Sequence, residues 1–195
     1  MQLPTVNPDA SPPNTSSGRG FNVVIVGLMG SGKTTVGRLA AQKLRFTFID
    51  TDQIIIDRAG KPIPGIFAAE GEEGFRRRET EALRLLLGRQ GYVIATGGGI
   101  VTRPENIPLL RQLGFVVWLA ADPAVLHRRT MHSTDRPLLS RPNPEATLRT
   151  LSEARSSLYE AVADEQIQTD DLNAEDVAYG LAESAKLHFR HRGTP

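Results

Sequence analysis

From Phe21 onward the apolar positions follow two alternating rhythms. Continuous short runs, NVVIV (22–26), FTFID (46–50), YVIAT (92–96) and FVVWLA (115–120), read as strands covered on both faces, with EQIQT (165–169) as another. Between them apolar residues recur at helical spacing. Val36, Leu39, Ala40 and Leu44 do so in KTTVGRLAAQKL, and helical patterns continue through about residue 90, punctuated by Pro62, Pro64 and Gly71. PENIPLLRQL, DPAVLHRRT, residues 144–163 and the stretch after Asn173 predict further helices. Strands alternating with helices predict an α/β fold, a mainly parallel sheet with helices on both faces. Ligands in such sheets bind beyond the carboxyl ends of the strands, here Gly27, Asp50, Thr96, Ala120 and Thr169.

The periodic pattern is absent at the ends. Residues 1–20, MQLPTVNPDASPPNTSSGRG, lack an apolar core and predict a disordered arm; they show neither the positive start nor the apolar middle of a secretory signal. Residues 189–195 read as a flexible basic tail, which leaves one domain over 21–188. The polar, proline-bearing stretch 131–144 predicts a lid. A net charge of +1 gives no bulk electrostatic case for nucleic acid or a membrane surface, and no apolar run is long enough to span a bilayer. Neither partner is expected. With no cysteines, disulfides and thiolate metal sites are ruled out, and a cytoplasmic location is expected.

GLMGSGKT, Gly27 to Thr34, lies between a predicted strand and a predicted helix and satisfies G-x-x-x-x-G-K-[ST]. Glycines there let successive backbone N–H groups turn onto an anion, and the helix adds its positive end. The backbone from Gly30 through Ser31, Gly32, Lys33, Thr34 and Thr35 is therefore assigned to the phosphates of a nucleoside triphosphate. Lys33 supplies a point charge, and Thr34 a hydroxyl for Mg²⁺. DTD (50–52) puts Asp50 and Asp52 at the end of the next strand, where both could face the cleft. Such junctions also favour an aspartate as helix N-cap, and the two readings are compatible. Arg136, stiffened by the proline after it, is the better lid arginine beside Arg141. Arg128 reads as part of a solvated helix face.

A guanine-reading N-K-x-D segment is missing, which argues against a GTPase switch, and Asp122 is the only aspartate near the end of FVVWLAADP. A small-molecule kinase needs a second pocket. GFRRRETEAL (74–83) reads as a helix with Arg76 and Glu79 one turn apart, able to pair, while Arg77, Arg78 and Glu81 read as a solvated face. Two converging guanidiniums would indicate an anionic acceptor, and Arg155 could be the second.

GLMGSGKTTVG, DTD, IFAAEGEEGFRRRE, TGGGIV and DRPLL, in this order and spacing, resemble shikimate kinase from about residue 22 to 185. The resemblance implies a three-layer P-loop kinase fold, a five-stranded parallel sheet flanked by helices, with a mobile lid. It implies transfer of the ATP γ-phosphate to the 3-hydroxyl of shikimate, with Mg²⁺, by a chain expected to act as a monomer. Asp52 matches the residue that binds the acceptor hydroxyls and takes the proton. Arg76 and Arg155 match the arginines on the acceptor carboxylate, and Glu79 the partner orienting Arg76. Gly97, Gly98 and Gly99 match the acceptor-contacting glycines, Arg136 the lid arginine, Arg129 a residue near adenine, and Asp50 the Mg²⁺-side carboxylate. Glycine at 97–99 would leave room for a polyhydroxylated ring, so Gly98→Ala should damage acceptor binding more than folding. DDLNAED, after the last strand, lacks the basic residues some relatives carry and leaves the adenine contacts open. The alternatives are gluconate kinase or another small hydroxy-acid kinase of this fold, and a nucleotide-dependent scaffold, against which Lys33, Asp52 and Arg136 argue.

Overall fold

The computed structural model describes residues 21–131 and 143–191. The expected arm over 1–20 and most of the expected lid, with Arg136 and Arg141, lie outside the described residues. Five strands, β1 (Val23–Val26), β2 (Thr47–Asp50), β3 (Tyr92–Ala95), β4 (Phe115–Ala120) and β5 (Glu165–Gln168), form one sheet in the order β2-β3-β1-β4-β5. Every pairing is parallel, so each strand must return over a face of the sheet through a crossover. Around it, among the described residues, run α1 (Lys33–Leu44), α2 (Thr51–Ala59), α3 (Ile63–Leu86), α4 (Asn106–Leu113), α5 (Pro123–Thr130), α6 (Pro144–Val162) and α7 (Ala174–Arg190).

The residue pattern explains the layering. β1 and β3 are buried along their whole length, as their unbroken apolar runs require, whereas edge strand β5 alternates half-buried and exposed residues. One core face gathers Val24, Val26 and Ile94 with Ile55, Leu83, Leu110 and Leu148 of α2, α3, α4 and α6. The other gathers Val23, Ile25 and Val117 with Ala40 of α1 and Leu181 of α7. α3 is two helical runs joined at Gly71, whose φ of 67° interrupts the helix and re-aims the segment that carries Arg76. α7 runs two residues past the expected domain end at 188, because Phe189 is buried with its ring 4.0 Å from that of Phe21.

One polar residue closes the lower end of the sheet. Asn22 is buried; its Nδ2 donates to Arg89 O (2.9 Å) and Leu113 O (2.7 Å), and its Oδ1 accepts from the Tyr92 amide (3.0 Å). It ties together the segments entering β1, β3 and β4. At the opposite, carboxyl end, β1 lies between β3 and β4, where the strand order changes direction. The loop leaving β1 opens into the crevice there. Among the described residues, no helix is long and apolar enough to cross a membrane.

Candidate active site

The loop after β1 is shaped by its glycines. Gly30 and Gly32 take φ values of 83° and 91°, a region residues with a Cβ rarely enter, and so turn the backbone around a small concavity. α2, α5, α6 and α7 have their first turns capped by the side chains of Asp50, Asp122, Asn143 and Asn173. α1 starts instead from Gly32, with no side-chain cap and no acidic residue in its first turn. Its N-terminal amides and positive dipole end are left for an anion. Lys33 Nζ donates to the carbonyls of Gly27 and Leu28, both at 2.8 Å, which holds the ammonium at the mouth of the loop.

Beside this cradle Thr34 Oγ1 donates to Asp50 Oδ2 (2.9 Å), while Asp50 Oδ1 accepts from the Asp52 amide (3.1 Å). Asp50 thus caps α2 and faces the cradle at once. A hydroxyl and a carboxylate at this spacing fit a hard divalent cation that keeps several waters. Among the described residues, no group of three or more His, Asp or Glu side chains could hold a metal by themselves.

The second half of the site is built on α3. The Arg76 side chain is 9% exposed; its Nη1 donates to Glu79 Oε2 (2.7 Å) and its Nη2 to Glu72 Oε1 (2.9 Å). Burial opposes the Arg76 charge, but Glu79 and then Glu72 outweigh it and hold its pKa above the usual value. Glu79, 1% exposed, is pushed above the ordinary carboxylate range by burial, with Arg76 opposing and Asp52 adding to the rise. Of the neighbouring charges, Arg77 and Glu81 are exposed as expected, and Arg78 forms a fork with both oxygens of Glu70 at 2.8 Å.

Gly97, Gly98 and Gly99 pass over this cluster. An added Cβ would overlap Glu79 Oε1 at Gly97 and the Arg76 guanidinium at Gly99, and would come within 3.3 Å of the Met29 amide nitrogen at Gly98. The triplet therefore does more than leave a floor for a ligand. It lets the buried Arg76–Glu79 pair and the phosphate loop close against bare backbone. From α6, Arg155 Nη1 (3.1 Å) and Tyr159 Oη (2.5 Å) both donate to the Gly98 carbonyl.

Gly30, Gly32, Lys33, Thr34, Thr35, Asp50, Asp52, Arg76, Glu79, Gly97, Gly98, Gly99, Arg129 and Arg155 all line one pocket of about 750 Å³. That volume accommodates a small ligand. Ser31 is buried, its amide closing a turn onto Leu28 O (3.2 Å). Arg129 donates to Thr169 Oγ1 (3.0 Å) and Thr169 O (2.5 Å), and so anchors the segment after β5 expected near adenine. Sequence reasoning missed the apolar wall of Ile63, Phe67 and Phe75, in which the two Phe rings stack with centroids 4.7 Å apart. The signal was available: Phe67 and Phe75 flank Gly71 in the IFAAEGEEGF segment.

A shikimate kinase family model matches residues 29–186. The chain is 49% identical to the shikimate kinase of Symbiobacterium thermophilum over 167 residues, 84% of this chain and 95% of that one. It is 46% identical to that of Marinomonas sp. over 87% of this chain and 94% of the relative. Its fold matches the solved structure of shikimate kinase from Acinetobacter baumannii in complex with shikimate, with a TM-score of 0.82 and 41% identity, covering 90% of this chain and 96% of that one. A gluconokinase from Sinorhizobium meliloti, at 21% identity and a TM-score of 0.55, shares the fold alone. With a family model matched over most of its length and relatives near half identical across it, the chain belongs to the shikimate kinase family.

Proposed function

We propose that this pocket moves the γ-phosphoryl group of ATP, in line, to the 3-hydroxyl of shikimate. The observation that carries the reading is the buried, doubly paired Arg76 beneath Gly97–Gly99, in the same pocket as the phosphate cradle. A guanidinium kept charged while its side chain is only 9% exposed suits one ligand chemistry above others, a carboxylate held bidentately. A neutral polyol would give the remaining N–H donors of that guanidinium no charged partner.

In this reading the cradle amides of the Gly30–Thr35 segment and Lys33 hold the triphosphate. Arg76 and Arg155 take the acceptor carboxylate, and Glu79 fixes the plane of Arg76. Asp52 accepts the proton of the attacking hydroxyl as its oxygen bonds to the γ-phosphorus and the bond to the β-bridging oxygen breaks, releasing ADP. Most of the rate then comes from alignment and from positive charge around the moving group, since little covalent work is left to the protein. Thr34 and Asp50 would hold Mg²⁺, which supplies charge neutralisation on the phosphate oxygens. Arg136, outside the described residues, adds a cation to the phosphates, and Arg129 steadies the adenine side through Thr169.

A coupled assay of ADP release with shikimate, gluconate and other small hydroxy acids tests the reading. Shikimate should be turned over and gluconate should not. Asp52→Asn should lower kcat by about 10²–10⁴-fold, the usual contribution of a positioned base, with the KM for ATP within about twofold of wild type. Preferred turnover of gluconate, or an undiminished kcat in Asp52→Asn, would overturn it.

A further inference from the structure

Tyr159 closes the EARSSLY segment of α6 but has no part in the mechanism above. It stands one helical turn beyond Arg155, on the same face, and both side chains end on one atom, the Gly98 carbonyl oxygen. A carbonyl oxygen has two lone pairs and can accept both. The two donors are not equivalent. Arg155 is the cation assigned to the acceptor carboxylate, and in that assignment a fork through Nη1 and Nη2 would draw Nη1 off Gly98. Tyr159 has nowhere to go. Its side chain is 1% exposed and its ring stacks on Trp118 with centroids 5.6 Å apart. Burial, the largest influence on the phenol, raises its pKa, so it remains an O–H donor through the neutral range.

We propose that Tyr159 is a positioning residue of the acceptor site: its hydroxyl keeps the Gly98 carbonyl satisfied and in place when Arg155 transfers its hydrogen bond to the acceptor carboxylate. The inference rests on the assignment of Arg155 and the glycine triplet to the acceptor. Without Tyr159, each acceptor bound would leave a half-buried carbonyl with no donor, and that penalty is charged to acceptor binding alone. Gly98 also abuts the phosphate loop, where an added Cβ would come within 3.3 Å of the Met29 amide and 3.4 Å of Gly27 O. A tyrosine that merely braced this packing would affect both substrates.

Tyr159→Phe removes one oxygen and keeps the ring on Trp118, so the variant should fold, as circular dichroism would verify. Steady-state constants for both substrates are then measured in wild type, Tyr159→Phe, Arg155→Ala, the double variant and Arg76→Ala. Tyr159→Phe is expected to raise the KM for shikimate about tenfold, equivalent to ~1.4 kcal/mol, with kcat and the KM for ATP within about twofold. In the Arg155→Ala background, where no hydrogen bond is transferred, the same substitution should change the KM for shikimate less than about twofold. An unchanged KM in Tyr159→Phe, an equal rise for both substrates, or the same factor in both backgrounds would overturn the inference. Arg76→Ala separates the two levels. If it leaves the KM for shikimate unchanged, the acceptor assignment itself fails; if it raises that KM while Tyr159→Phe does not, only the role of Tyr159 fails.

Discussion

Gly99→Ala isolates the contact on which the acceptor half of the site depends. Gly99 has φ −95° and ψ 2°, a conformation open to alanine, so backbone strain adds little to the cost. The cost lies in the contact. The three atoms nearest an ideal Cβ there all belong to the Arg76 guanidinium, the farthest of them, Nη2, at 2.5 Å. Arg76 must move, and its guanidinium is held by Glu79 at 2.7 Å and Glu72 at 2.9 Å. Removing one partner of a buried ion pair costs about 3–5 kcal/mol. Here the arginine is displaced rather than deleted, and Glu79, whose pKa burial already raises, can take up a proton. The expected loss of stability is therefore smaller, about 1–3 kcal/mol.

The effect on binding should be larger than the effect on folding. With Arg76 on the acceptor carboxylate as proposed, displacing it should forfeit charge-assisted hydrogen bonds worth about 1.5–3 kcal/mol, which corresponds to a rise of about 10- to 150-fold in the KM for shikimate. The KM for ATP should stay near wild type, because the three atoms nearest this Cβ all belong to Arg76 and none to the phosphate loop. Steady-state kinetics with each substrate varied, together with a thermal melt, measure both effects. A KM for shikimate within threefold of wild type and an unchanged Tm would refute the packing argument, as would an equal loss for ATP. Gly98→Ala serves as the internal comparison. Its Cβ would press on Met29 N and touch Gly27 O, so its damage should shift toward ATP, a different outcome from the acceptor-specific loss that the motif alone suggests.

Two further substitutions test the framework and the electrostatics. Asn22→Ala strands two carbonyls and one amide at the base of the sheet; at about 1 kcal/mol each the loss is ~3 kcal/mol, or about 6–12 °C in Tm, with both KM values unchanged, and a loss under 1 kcal/mol would contradict this. Glu79→Gln tests the sign of the carboxyl shift. Glu79 is raised above its ordinary value of 4.5 in the folded protein, so the unfolded chain releases that proton first as pH rises. Wild type should lose Tm relative to Glu79→Gln as pH climbs from about 4 through the raised folded value, then run parallel to it; a difference moving the other way would show that Arg76 outweighs burial.

The parts of the site legible in the sequence are those whose chemistry is local. The phosphate loop, the Asp50 cap and the Arg76–Glu79 pair each span a few residues, so backbone geometry and helical spacing suffice to derive them. The sheet was legible too, because a parallel strand buried on both faces must be continuously apolar, and β5 could be placed despite its weaker pattern because it lies at an edge. What stayed hidden depends on which distant segments meet. Asn22 lies 70 residues from Tyr92 and 91 from Leu113, and Tyr159 lies 61 residues from Gly98. Nothing in the local pattern around a lone Asn or Tyr specifies such partners.

The glycine triplet falls between these cases. Its need for bare backbone was evident from three consecutive residues without side chains at a strand end. Which volume they spare was not, because Arg76 and Glu79 arrive from α3 and Met29 from the loop after β1. Adjacent glycines thus make separate contacts: Gly99 with Arg76, Gly97 with Glu79 and Asp52, Gly98 with the phosphate loop below and with Arg155 and Tyr159 at its carbonyl. Three side chains are absent for three different reasons. One short motif therefore joins Arg76, Glu79 and Arg155 to the loop after β1, and alanine substitutions along it should separate the two halves of the site position by position.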